Sequence, residues 1–300
     1  MTLKQLQVFL AIAREQNFSS AARRINLSQP TLSEHVAELE RELGTRLFAR
    51  RRGGRTSPTE AGRVFEAYAA RVISTVADGR RAIEEIDGLK RGSLIIGAST
   101  TPGIYLLPAV VGLFRARHPG VELRLEIGNS RLIEQRVRAS EVDLGIVGGH
   151  ELGPGERCLA AGLVDELMLI VPSRHPWAGR RQLAPARLEE QPMLLREEGS
   201  ATRRVMERAL QQAGIAARTG MELGHTEAIK QGVIAGLGVA FVSTYAIRGE
   251  LATRRLHALR LSGLRIQRHF HVIHNDSREL SATARAFARL LDEEGRRLRV

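Results

Sequence analysis

The sequence predicts an α/β protein with an N-terminal winged helix-turn-helix, a long linker helix and a larger C-terminal domain. Three observations carry that reading. Amphipathic helical patterns ending at Gly44 are followed at once by an arginine run around Gly53-Gly54. An apolar seam then recurs at heptad spacing from Phe65 to Ile86. From Ser93 onward, short apolar runs alternate with helical patterns, the texture of a mostly parallel sheet. The length of 300 residues suits two domains at roughly 150 residues each.

Composition narrows the classes. With 43% hydrophobic and 26% charged residues, the chain is neither disordered nor fibrous. The uncharged run Gln231 to Ile247 is broken by glycines and falls short of the ~20 apolar residues of a membrane span. Between Lys4 and Arg14 the only apolar block, Val8 to Ala13, is shorter than the roughly 7–15 residues of a signal's apolar core, so no secretory signal is expected. Cys158 is the single cysteine, which forbids an internal disulfide or a multi-cysteine metal site and suits the cytoplasm. The net charge of +12 favours polyanionic partners, yet all but three of the 45 basic residues are arginine. That skew also fits a GC-rich coding sequence. Residues 1–91 carry only +5 of the charge, so charge alone does not locate a nucleic-acid face.

Thr2-Leu3-Lys4-Gln5 is a capping box opening a first helix whose apolar stripe is Leu3, Leu6, Leu10 and Ala13. Asn17 and Ser19 separate it from a short second helix expected over Ser20–Ile25. Ser28 caps a third, with Pro30 in its first turn, where a missing N–H costs nothing. Leu32, Val36, Leu39 and Leu43 share one face of that helix; the opposite face presents Pro30, Ser33, Glu34 and Ala37, with Gln29 at its edge. Small polar groups there let the helix approach base edges, and glutamine can bond adenine in a bidentate way. Arg50 to Arg55 around two glycines read as a β-hairpin wing able to reach phosphates or a narrow minor groove.

These residues resemble the LysR-type transcriptional regulators. The likeness runs without a gap over residues 1–62: Leu6-Gln7-Val8-Phe9, Asn17 to Ala22, Leu27 to Ser33, Leu39-Glu40, Leu43 to Arg50 and Thr59-Glu60-Ala61-Gly62. The resemblance implies double-stranded DNA as partner, with Gln29, Pro30 and Ser33 on bases. It places Ser28, Thr31, Arg50 and Arg55 near the backbone or minor groove, with Arg52 extending the basic run of the wing. It also turns Phe65, Ala69, Val72, Val76, Gly79, Ile83 and Ile86 into a dimer seam, although a helix packed on its own domain shows the same heptads. Leu89-Lys90-Arg91-Gly92 reads as a hinge. The expected boundaries are 1–58 for the DNA-binding domain, 59–89 for the linker helix and 90–300 for the effector domain.

In the C-terminal part, Ser93–Ala98, Val121–Ile127 and Val142–Val147 read as strands of one subdomain. Glu166–Val171, Met193–Leu195 and Val239–Val242 read as strands of another. Phe270–Ile273 and a closing helix from about Ala282 to Arg296 return to the first. The resemblance implies a periplasmic-binding-protein-like effector domain, with subdomain one near 93–163 and 268–300 and subdomain two near 164–267. Several strands end in small hydroxyl or amide residues just before a helix: Ser99, Thr100 and Thr101; Asn129 and Ser130; Ser200 and Thr202; Thr226; Ser243. Each alone fits an ordinary cap. Their recurrence points to one cleft at the carboxyl ends of strands, where helix N-termini attract a small anionic metabolite. Ala98 to Thr101 with Leu106-Leu107-Pro108, and Arg196 to Ser200, look most like the branch governing carbon fixation or sulfur assimilation.

Other motifs carry less. Gly236-Leu237-Gly238 lacks the dinucleotide fingerprint and reads as a tight turn into a strand. On a strand, His269 and His271 share a face and His274 points away, without a cysteine or carboxylate at ligand spacing. No serine–histidine–acid set or nucleophile elbow is present, so neither an enzyme, a cofactor nor a metal is expected. A cytoplasmic regulator acting as a homodimer or homotetramer is the leading reading, with RNA polymerase as a further partner and no membrane. The rival is a cytoplasmic small-molecule binding protein whose N-terminal domain serves assembly only. An assembly helix would present leucines where the third helix presents Pro30, Ser33, Glu34 and Ala37.

Overall fold

The computed structural model describes residues 1–50, 56–84, 92–149, 153 and 156–297. The chain divides into two compact units, residues 1–83 with 139–141 and residues 84–138 with 142–300.

The first unit contains α1 (Leu3–Glu15), α2 (Phe18–Arg24), α3 (Gln29–Leu43), β1 (Phe48–Arg50), β2 (Thr56–Pro58) and α4 (Glu60–Glu84). The capping box closes as expected: Gln5 N–H donates to Thr2 Oγ1 at 3.2 Å and Thr2 N–H to Gln5 Oε1 at 2.7 Å. The second helix begins earlier than its sequence pattern suggests, because Asn17 is the cap and accepts from Ser20 N–H at 2.9 Å. Ser28 Oγ accepts from Thr31 N–H, and Gly44 ends α3 at φ +67°, a left-handed turn that glycine adopts without strain. Leu6, Phe9, Ile12, Leu32 and Leu39 are buried together, and Phe9 packs on Phe48 and Phe65 with ring centroids 5.1 Å apart in each pair. Glu40 Oε1 accepts from Leu47 N–H (2.6 Å) and Phe48 N–H (3.1 Å), tying the end of α3 to the first strand of the wing.

On α4 the apolar pattern divides between two tasks. Ala69 is buried and Phe65 packs in the domain's own core, so the first two positions of the expected seam are occupied there. The exposed stripe is instead Val64 and Tyr68 (60% each), Val72 (42%) and Ile83 (70%). It joins the expected seam only from Val72 onward. Ile86, and Leu89 to Arg91 of the expected hinge, lie outside the described residues.

The second unit runs β3 (Gly92–Ser99), α5 (Thr100–Tyr105), α6 (Leu107–Arg117), β4 (Val121–Gly128), α7 (Ser130–Arg138), β5 (Leu144–Gly148), β6 (Glu156–Pro172) and β7 (Gln182–Leu183). It continues with β8 (Met193–Arg196), α8 (Ala201–Gln212), β9 (Thr219–Leu223), α9 (Thr226–Ile234), β10 (Ala240–Ser243), α10 (Arg248–Ala252), β11 (Leu256–Leu261), β12 (Ile266–Asn275) and α11 (Ala282–Arg297). The principal sheet has the order β4-β3-β5-β12-β6-β11-β7, with β10 also on β6. One core gathers Leu94, Ile96, Leu107, Phe114 and Phe287; another gathers Leu167, Leu169, Trp177, Met206 and Phe241.

The sheet is mixed, not mostly parallel. β3 runs parallel to β4 and β5, and β8 to β9, but β12 is antiparallel to both β5 and β6, and β6 is antiparallel to β10 and β11. The cause is the 17-residue β6, which carries the chain from one core into the other while β12 brings it back alongside. Its first half includes Leu159-Ala160-Ala161-Gly162, whose small residues carry little strand signal. The turn at Gly236-Gly238 is tight as expected. A Cβ at Gly238 (φ +157°) would sit 2.2 Å from the Pro192 carbonyl oxygen, which itself accepts from Val239 N–H at 3.0 Å.

Two stability predictions follow from these contacts. A Cβ at Gly62 would sit 2.2 Å from the Leu47 carbonyl oxygen, so Gly62→Ala should destabilise the first unit by about 1–3 kcal/mol, read by thermal unfolding. His274 is buried, and burial first, then Arg157, holds its imidazole below the ordinary 6.5. The unfolded chain therefore takes a proton that the folded chain excludes, so stability should fall as pH drops through 6.5. In His274→Gln that part of the pH dependence should vanish from melting curves.

Candidate functional site

Two surfaces gather the residues singled out in the sequence. On α3, Ser28, Gln29, Pro30 and Thr31 are exposed and Ser33 is half-buried, while Leu32, Val36 and Leu39 are buried beneath them. Gln29 Oε1 accepts from Ser19 Oγ–H at 2.9 Å, which orients the amide from the neighbouring helix. Ser19 is a positioning residue that sequence reasoning missed, because its hydroxyl had a ready role in the turn. Ser28 Oγ lies 2.7 Å from Thr31 Oγ1, so both are held at the start of the helix. Arg50 pairs in the wing ladder opposite Thr56; Arg52 and Arg55 lie outside the described residues.

In the second unit, Ser99, Thr100, Thr101, Asn129, Ser130, Ser200 and Thr202 line one cleft between the two cores, together with Ala201 and two arginines, Arg196 and Arg268. Its free volume is about 10 Å³, room for roughly one water. The walls touch: Arg131 N–H donates to the Gly199 carbonyl at 3.2 Å, and Asn129 Nδ2 reaches the Glu198 carbonyl at 3.5 Å. Ser200 is the N-cap of α8 but makes no side-chain cap bond, which leaves the first turn of a 12-residue helix open toward the cleft.

The two arginines went unrecognised as site residues. Both are 5% exposed. Arg268 donates through Nε to Asp165 (2.8 Å), through Nη1 to Thr202 (3.0 Å) and through Nη2 to Thr101 (3.1 Å), so one guanidinium joins both walls. Arg196 donates to both carboxylate oxygens of Glu197 (2.7 and 2.9 Å), to Thr226 and, at 3.4 Å, to Thr100. Burial pushes the Asp165 carboxyl up and the Arg268 charge pulls it down; with Arg268 and Ser243 Oγ–H (2.6 Å) both donating to it, we assign the ionised form.

Thr226 and Ser243 stand apart from the other predicted residues. They do not line the cleft: Thr226 Oγ1 accepts from Arg196, and Ser243 is bonded to Asp165 behind Arg268. Their hydroxyls hold the side chains that hold the cleft. The whole suits a small anion: guanidinium N–H groups, hydroxyls and a helix N-terminus converge without a nucleophile–base pair. Among the described residues no three His, Cys, Asp or Glu side chains are placed to hold a metal, and no helix is long and apolar enough to cross a membrane.

Comparison with known proteins decides the wider reading. A family model of the LysR substrate binding domain matches residues 87–296, and one of the bacterial regulatory helix-turn-helix protein, lysR family, matches residues 3–63. The chain belongs to the LysR family. A RuBisCO operon transcriptional regulator of Allochromatium vinosum is 36% identical, covering 99% of this chain and 98% of that one. A full-length OxyR variant from Pseudomonas aeruginosa superposes with a TM-score of 0.72 at 25% identity, covering 99% and 95% of the two chains. The Synechocystis CcmR regulatory domain in complex with 2-PG gives 0.65 at 27% identity, covering 69% of this chain and 99% of that one. This LysR-type chain is a sequence-specific DNA-binding transcriptional regulator controlled by a small effector between two α/β subdomains. The reading of its N-terminal domain as an assembly module alone is set aside.

Because Ser19 orients Gln29, the two should fail differently. Gln29→Ala should weaken operator binding by about 1–3 kcal/mol and relax preference at one base pair. Ser19→Ala should cost less affinity and leave the preferred base unchanged, as read by titrating single-substitution operators.

Proposed function

We propose that this LysR-type regulator controls a carbon-fixation operon in response to a small, phosphorylated or similarly anionic metabolite. The observation that carries the reading is the meeting of Arg196 and Arg268 with the open first turn of α8, in a chain that is 36% identical to a RuBisCO operon regulator along nearly its whole length. The 2-PG bound by the CcmR domain is an anion of the class this cleft suits.

In this reading residues 1–58 bind DNA, 59–89 pair two copies and 90–300 sense the effector. Gln29, Pro30 and Ser33 contact bases; Ser28, Thr31, Arg50, Arg52 and Arg55 contact the backbone or minor groove. The exposed stripe of α4 is covered by the same stripe of a second copy, which sets two reading heads on one palindromic site. Dimers pair into tetramers, RNA polymerase is the downstream partner, and the cytoplasm is the setting. With the cleft nearly closed, an effector favours whichever arrangement of the subdomains gives it room, and so shifts a two-state equilibrium.

The test joins footprinting to calorimetry. The protein should protect a palindromic site upstream of its own gene or a divergent neighbour, and the protected pattern should change with 2-PG. Ser200→Ala and Thr101→Ala should weaken 2-PG binding about tenfold, about 1.4 kcal/mol each. Silence toward 2-PG, phosphorylated sugars and sulfur metabolites alike, with alanine variants matching the parent, would refute the anion cleft. Diffuse, salt-sensitive protection unchanged by Gln29→Ala would refute operator recognition.

A further inference from the structure

A second cavity, unrelated to the sequence motifs, opens beside the crossing strands, with a volume of about 550 Å³. That lies within the ~300–1,000 Å³ typical of small-molecule sites, whereas the effector cleft holds about 10 Å³. One wall is the α8 face bearing Val205, Arg208 and Ala209, spaced so that small apolar groups form the floor and a cation the rim. The other wall is Leu264 and Arg265 with the start of β12, Ile266 to His269, and His271. Pairing of β12 with β5 ends at Phe270–Gly148, and Gly149 N–H closes on the His269 carbonyl at 2.9 Å. Backbone groups alternate sides along a strand, so Gln267 turns its N–H and C=O to the same open side, into the cavity.

The cavity's charge is cationic. Among the described residues no acidic side chain lines it, and the described carboxylate that Arg265 reaches, Glu166 (3.3 Å), is already held by Arg260 at 2.5 and 2.9 Å. Arg268 lines both sites: its guanidinium faces the effector cleft, while Gly149 beside its side chain borders the second cavity.

We propose that this cavity is a second ligand site, taking an organic anion with an apolar body. The apolar portion lies on Val205 and Ala209, and the anion meets Arg265 and the strand-edge N–H of Gln267. The site stands independently of the effector assignment, because its floor and rim share only Arg268 with the cleft.

Equilibrium dialysis of the full chain with 1-naphthyl phosphate tests it, with inorganic phosphate and 1-naphthol as probes lacking one half of the chemistry. Saturable binding at one site per chain is expected, at least tenfold tighter than either partial probe. Ala209→Phe, which fills the floor, and Arg265→Ala, at the exposed rim, should each weaken it at least fivefold, while Ser200→Ala should leave it unchanged. Absence of binding, equal binding of inorganic phosphate, or loss in Ser200→Ala with retention in Ala209→Phe would overturn the proposal. The last result would place the probe in the effector cleft and leave that reading intact.

Discussion

The pairing of Asp165 with Arg268 is the contact on which the effector domain depends. The two residues are direct cross-strand partners on β6 and β12, the strands that carry the chain between the two cores. Moving a carboxylate and a guanidinium out of water costs several kcal/mol per ion unless geometry and further hydrogen bonds compensate. Here Ser243 completes the carboxylate, while Thr101 and Thr202 complete the guanidinium. Each threonine comes from a different wall of the cleft, so satisfying one buried cation also sets how close the walls stand.

The two cationic sites differ in what they can release. Asp165 has no exposed side-chain surface and stays with Arg268 whatever the cleft does. Glu197 is about a fifth exposed and occupies two N–H groups, Nε and Nη2, on one edge of Arg196. The anionic effector proposed above would therefore compete with Glu197 and not with Asp165. The empty balance of charges, two cations against two acids, makes the cleft selective by geometry more than by bare attraction.

Local chemistry made much of this legible. Thr2, Ser28 and Gly44 announce helix ends because caps depend on a few neighbouring residues, and hydroxyls at strand ends announced most of the cleft for the same reason. What required the fold was pairing at a distance. Arg268 lies 103 residues from Asp165 in sequence, and Thr226 lies 30 from Arg196. A signal was nonetheless present: Leu163-x-Asp165-x-Leu167 and Ile266-x-Arg268-x-Phe270 each place a charge among apolar residues on the inward side of a strand. Opposite charges in two such positions predict a buried pair once the strands are known to be neighbours. The heptad reading of α4 missed the own-domain packing of Phe65 and Ala69 for a related reason, since periodicity shows that a face is apolar but not what covers it.

That helix has a mechanical consequence. Phe65 and Ala69 are rooted in the core of the DNA-binding domain, while Val64 and Tyr68, one residue earlier on the spiral, face outward. The helix is thus a shaft keyed into its own reading head and cannot spin to improve its outer contacts without uprooting the ring cluster of Phe9, Phe48 and Phe65. Whatever grips the outer stripe is held in fixed register with α3, whose Leu32, Val36 and Leu39 share that same core.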